Sequence, residues 1–134
     1  MTAAEPLRRT PNEQQPHVHV PAVDRVRKLC LSLPGSSEKE AWGDPSFRAN
    51  GRMYAIMKFG RGMRLWCAAP AGAQQVLVES DPARFFKPSN HPLHSGWIGI
   101  TLDLTPIDWD AVGFLLAQAH EVVVARGLRP SRKE

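Results

Sequence analysis

Asn50-Gly51 is the dipeptide that most narrows what this chain can become. Before it, Phe47 and Ala49 alternate with Ser46 and Arg48. After it, Met53, Ala55, Met57 and Phe59 alternate with Tyr54, Ile56 and Lys58. Alternation with period two marks a strand buried on one face, because successive side chains leave opposite sides of the pleat. Asn-Gly supplies the two positive φ angles of a type I′ turn, whose twist matches the strands it joins. A β-hairpin follows. Gly60-Arg61-Gly62 makes a second tight turn into Met63, Leu65 and Cys67, which alternate with Arg64, Trp66 and Ala68. The prediction is an antiparallel meander with one apolar face and one mixed basic-aromatic face.

Helical patterns flank the meander. Val23, Val26, Cys30 and Leu33 form one face of a helix predicted from Pro21 to about Leu33, where Leu33-Pro34-Gly35 stops it. The segment from Leu33 to the first strand reads as a long turn. Pro70 opens a short amphipathic helix carrying Ala73, Val76 and Leu77 to about Glu79. Phe85-Phe86 leads into a loop from Pro88 to Gly96, and Trp97 to Leu102 is a further strand. Thr105-Pro106-Ile107-Asp108 reads as a helix start with Thr as N-cap. The last helix carries Trp109, Val112, Leu116, Ala119 and Val123 to about Arg126. The order α-β-β-β-α-(β)-β-α gives a two-layer α+β domain, an antiparallel sheet with helices packed on one face.

At 134 residues the chain suits one domain. Residues 1–20, with Pro6, Pro11 and Pro16 and little apolar content, read as a disordered tail; 21–128 form the domain and 129–134 a short C-terminal tail. The start lacks an apolar stretch of signal-peptide length, and the most apolar run, Ala111 to Ala119, is too short to cross a bilayer. The expected compartment is the cytoplasm, with no membrane partner. Cys30 and Cys67 lie in apolar-periodic segments without CxxC spacing, so they read as buried free thiols.

The run from Pro45 to Val78 holds no Asp or Glu and five cations: Arg48, Arg52, Lys58, Arg61 and Arg64. Arg48, Lys58 and Arg64 have the parity opposite to Phe47, Met57 and Leu65. Tyr54 and Trp66 share that parity, so stacking on unpaired bases joins phosphate contact as a predicted capability. The competing reading is a solvated sheet face that arginines also protect from edge aggregation. Net charge is +4 and the pI about 9.5, a mild bias toward anionic partners.

Other candidates carry less. Glu38, Glu40 and Asp44 cluster near Trp42 and read as solvated loop acids. His91 and His94 are three apart but need a third ligand in space to hold a metal. Trp42, Trp66 and Trp97 could line a groove, with His94 at its rim, for a flat anion or a peptide; core packing is the competing reading for each ring. No segment carries a catalytic motif, and no cofactor or metal is expected.

Several landmarks occur together and in order: Leu33-Pro34-Gly35, Glu38, Trp42-Gly43, Pro45-Ser46-Phe47-Arg48, Asn50-Gly51, Asp81-Pro82-Ala83-Arg84-Phe85-Phe86, Gly96-Trp97-Ile98-Gly99 and Asp108-Trp109. Across roughly residues 22–126 the chain resembles the MmcQ/YjbR family of small bacterial proteins. The resemblance implies a frataxin-like (CyaY-like) α+β fold and a DNA-binding role associated with hairpins. It brings no catalytic residue. Many relatives carry Lys or Arg just before the strand-opening Trp, where this chain has His94-Ser95-Gly96. The expected function is weak, electrostatic, non-enzymatic DNA binding by Arg48, Arg52, Lys58, Arg61 and Arg64 with Tyr54 and Trp66. The alternative is a small-ligand or protein-binding module using Trp42, Trp97 and His94.

Overall fold

Asn50 and Gly51 adopt φ of 55° and 84°, the turn their sequence requires. They join two strands of a six-stranded antiparallel sheet in a computed structural model that describes residues 20–128. The elements are α1 (Pro21–Leu31), β1 (Ser36–Ala41), β2 (Asp44–Ala49), β3 (Arg52–Lys58), β4 (Arg64–Cys67), α2 (Ala73–Ser80), β5 (Phe85–Phe86), β6 (Ile98–Thr101) and α3 (Trp109–Leu128). The two predicted tails, apart from Val20, lie outside the described residues.

Strand order is β1-β2-β3-β4-β6-β5. The register aligns Phe47, Ala55, Cys67 and Ile98 in one row across four strands, with Met57, Leu65 and Ile100 in the next. This apolar face meets Val23, Val26 and Cys30 from α1 and Val112, Leu116, Ala119 and Val123 from α3, all buried. Each of the Val and Leu side chains contributes about 1.5–3 kcal/mol on burial. α3 packs on β2, β3 and β4, and α2 leans on β5 and β6. The α+β architecture expected from the periodicities is the one formed. Among the described residues no helix is long and apolar enough to cross a membrane.

Three local expectations need correction. The stretch read as a long turn contains β1, paired with β2 from Ser36↔Ala49 to Ala41↔Asp44. Its side chains are mostly exposed, so it shows no hydrophobic alternation to detect. α1 ends at Leu31, where the Ser32 N–H bonds the Lys28 carbonyl and its hydroxyl bonds the Leu29 carbonyl. α3 starts at Trp109 rather than after Thr105. The Asp108 carboxylate accepts the Ala111 N–H at 3.1 Å and caps the helix; the Thr105–Pro106 bond is cis.

The fourth correction bears on function. The β2–β3 register slips between Phe47 and Arg48, so one extra β3 residue, Tyr54, is inserted. This bulge turns Tyr54 to the helix side, fully buried. Its hydroxyl donates to the Cys30 carbonyl at 3.2 Å and lies 2.8 Å from Ser36 Oγ, while its ring meets His120 edge-on. His120 Nε2 sits 2.6 Å from the Pro34 carbonyl, which can only accept, so that nitrogen carries the proton.

Candidate nucleic-acid interface

The sheet face turned away from α1 and α3 is built by the same register that builds the core. Ser46, Ile56, Trp66 and Gly99 align in one row, and Lys58, Arg64 and Thr101 in the next. Arg48 follows Ser46 by two residues, and Lys39 lies directly across from Ser46 on β1. Arg48, Lys58, Arg64 and Trp66 therefore share one face, and Lys39 joins them. Lys39 was invisible as a member because its segment did not read as a strand.

Charge on this face is partly compensated. Lys58 Nζ lies 3.1 Å from Asp44 Oδ2 and 5.2 Å from the centre of the Trp66 ring. Arg64 lies 3.4 Å from Asp103 Oδ2 and over the Phe86 ring at 5.9 Å. Asp103 also accepts the Met63 N–H at 2.8 Å. Both acids lie outside the acid-free run and arrive through folding. Arg61, at the β3–β4 turn, is exposed and makes no ion pair among the described residues. Two donors on the face, Arg48 Nε and Trp66 Nε1, are buried with no acceptor. An unsatisfied buried donor costs about 1–3 kcal/mol.

Tyr54, expected on this face, leaves it, and Arg52, expected among the binding cations with its facing left open, lies elsewhere. Tyr54 is buried among the helices for the reason given above and cannot stack on a base. Arg52 pairs with Ala49 and turns toward the end of α3: a Cβ placed on Gly127 would stand 3.4 Å from its Nε. A cation is favoured there by the negative end of the helix dipole.

The tryptophans do not form one groove. Trp97 is 4% exposed, whereas Trp42 is 84% exposed in the β1–β2 turn, with β2, β3 and β4 lying between that edge and β6. His94 connects the other two indoles edge-on, 5.4 Å from Trp66 and 4.8 Å from Trp97. Burial, then His91 and Lys58, hold its imidazole below the ordinary pKa. A cavity of about 240 Å³ opens beside it, lined by Gln74, Lys87, Ser89, His91 and Gly96, small for a ligand pocket.

The acids do not converge. Glu38 faces the helices and takes a two-point contact from Arg27 at 2.7 and 3.1 Å, while Asp44 faces the other way. Both cysteines are buried; burial pushes the Cys30 thiol up to about 12 and Cys67 higher still, so neither is a thiolate at neutral pH. Among the described residues no group of three His, Cys, Asp or Glu side chains could hold a metal ion.

The YjbR family model matches residues 31–122. The crystal structure of Deinococcus radiodurans protein DR2400, with domain DUF419, is similar at 24% identity, covering 80% of this chain and 81% of that one, with a TM-score of 0.69. At that identity the likeness speaks for the fold alone. No curated protein matches the chain.

Proposed function

This chain belongs to the YjbR family, and from that premise we propose that it is a non-catalytic protein that binds DNA through phosphate contacts on the outer sheet face. One observation carries the reading. Lys39, Arg48, Lys58 and Arg64 share this one sheet face, and among the described residues only Lys58 and Arg64 are paired with an acid there. Cations outnumber the two acids, Asp44 and Asp103, that reach this face, and phosphate oxygens are acceptors with the complementary charge. Arg61 offers a further cation at the turn. Lys58 and Arg64 exchange Asp44 and Asp103 for phosphate at little cost, because part-exposed ion pairs are worth only about 0–1 kcal/mol. Backbone contact of this kind positions the nucleic acid without reading its sequence.

The test is duplex binding across a salt series. With Arg48, Lys58, Arg61 and Arg64 engaged, log K should fall with log salt at a slope of about −3.6. Arg61→Glu combined with Arg64→Glu should abolish binding. Undiminished binding by that double variant would overturn the assignment.

The alternative is a small-ligand module, and the placement of His94 between Trp66 and Trp97 favours it. It predicts the reverse pattern: ligand binding that survives the double charge reversal and is lost in His94→Ala.

A further inference from the structure

The chain contains the same turn twice. At the β2–β3 turn, Asn50 and Gly51 have φ of 55° and 84°; at the β1–β2 turn, Trp42 and Gly43 have φ of 53° and 84°. The first pair is the one this geometry selects, because the short Asn side chain tolerates a left-handed backbone and Gly has no Cβ. A bulky residue at positive φ is an outlier that persists where something other than local preference retains it.

Packing does not retain Trp42. Its side chain is the most exposed of the large hydrophobics described, and it makes no hydrogen bond or ring contact among the described residues. The fold thus bears the cost of tryptophan at this position and gains no contact from it. A planar ring 84% exposed at the tip of a hairpin is a stacking surface.

Its surroundings select what stacks. Trp42-Gly43 leads directly into Asp44, whose carboxylate holds Lys58, and Lys58 leads into the turn that carries Arg61. The two hairpin tips therefore emerge at the same end of the sheet, an aromatic on one and a free cation on the other. Glu40, the nearest uncompensated acid in sequence, shares the parity of Glu38 and faces the helix side. A protein-binding anchor would sit within an apolar patch. Here the adjoining strand residues are Lys39, Glu40, Ala41, Asp44 and Pro45; Ala41 packs against the core and the other neighbours are mostly charged. A flat ring at the rim of a cationic face matches an unpaired base whose flanking phosphates meet the cations.

We propose that Trp42 is the base-stacking residue of this surface and that its preferred ligand is single-stranded nucleic acid. The inference rests on the phosphate-binding reading of the outer face and narrows it. A duplex keeps its bases stacked on one another and offers Trp42 nothing, whereas a single strand lays phosphates on Lys58 and Arg61 and one base on the indole.

The experiment uses the full chain, labelled oligothymidylate and a duplex of equal length, with Trp42→Asn and the Arg61→Glu/Arg64→Glu double variant. Asparagine suits the turn, so the melting temperature should hold or rise. Affinity for oligothymidylate should exceed that for duplex and fall on the order of ten-fold in Trp42→Asn, with duplex affinity unchanged. Trp42→Gly, which also tolerates positive φ, repeats the test should the asparagine variant fail to fold. Unchanged single-strand affinity in the Trp42 variants, alongside loss in the charge-reversed one, would overturn the stacking role and leave the phosphate reading standing. A loss accompanied by a lower melting temperature in both Trp42 variants would make the ring structural and overturn it as well. Absence of binding to either nucleic acid at low salt would remove both.

Discussion

The Tyr54 hydroxyl ties β3 to the last turn of α1 through the Cys30 carbonyl and to the first residue of β1 through Ser36. Tyr54→Phe keeps the ring against His120 but takes a partner from the Ser36 hydroxyl, while the Cys30 carbonyl keeps the Leu33 N–H at 3.0 Å. The expected cost is about 1–3 kcal/mol, read as a lower urea midpoint with an unchanged m-value. An unmoved midpoint would show that water replaces the hydroxyl. The same side chain marks where sequence stops being informative. Alternation assigns a face only while register is unbroken, and one inserted residue in β3 moved Tyr54 to the other side. Arg52, whose face alternation did not assign, pairs with Ala49 on the helix side. Asp44 and Asp103 entered from outside the acid-free run, since pairing across space leaves no local pattern. Burial of Cys30 and Cys67, by contrast, was legible from spacing alone, because each sits at an apolar position of its period.

Elements were legible in proportion to how strongly one face is buried. α1, α3, β3 and β4 announce themselves through apolar periods, and the Asn50-Gly51 hairpin through its turn. β1 is spelled Ser-Ser-Glu-Lys-Glu-Ala and carries no such period. β5 and β6 meet at a point that composition does not reveal: Gly99 pairs with Phe86, and a Cβ at Gly99 would enter the Phe86 ring. Gly99 is therefore fixed by close approach rather than by backbone angle. Gly99→Val should lower stability by about 1–3 kcal/mol as Phe86 is displaced, seen as an earlier thermal transition. Gly60 is the internal control, since a Cβ there meets nothing within 4 Å. Equal effects of Gly60→Ala and Gly99→Val would refute the packing argument.

At the scale of the molecule, one sheet face is closed by α1 and α3 while the opposite face carries the cations, and the pH response follows from what covers part of that second face. His94 titrates below the ordinary imidazole value in the fold, chiefly through burial, then through His91 and Lys58. As pH falls, the unfolded chain takes up this proton first. The stability contributed by neutral His94 is thus full above about 6.5 and is lost as pH drops through the lower folded value. The wild-type chain should lose more melting temperature than His94→Asn between about pH 7 and pH 5. Parallel curves would mean that His94 stays solvated. The open edge at β1 has a consequence for how copies of this chain meet. Two copies joined antiparallel at their β1 edges, with their helix layers on one side, are related by a two-fold axis between the paired strands, which sets one residue beside its own copy. Centred on Glu38, Lys39 or Glu40, that axis sets the residue against its own like charge. The polarity that hid β1 from the sequence pattern therefore acts as a repulsive code against the pairing partner nearest to hand: a second copy of itself.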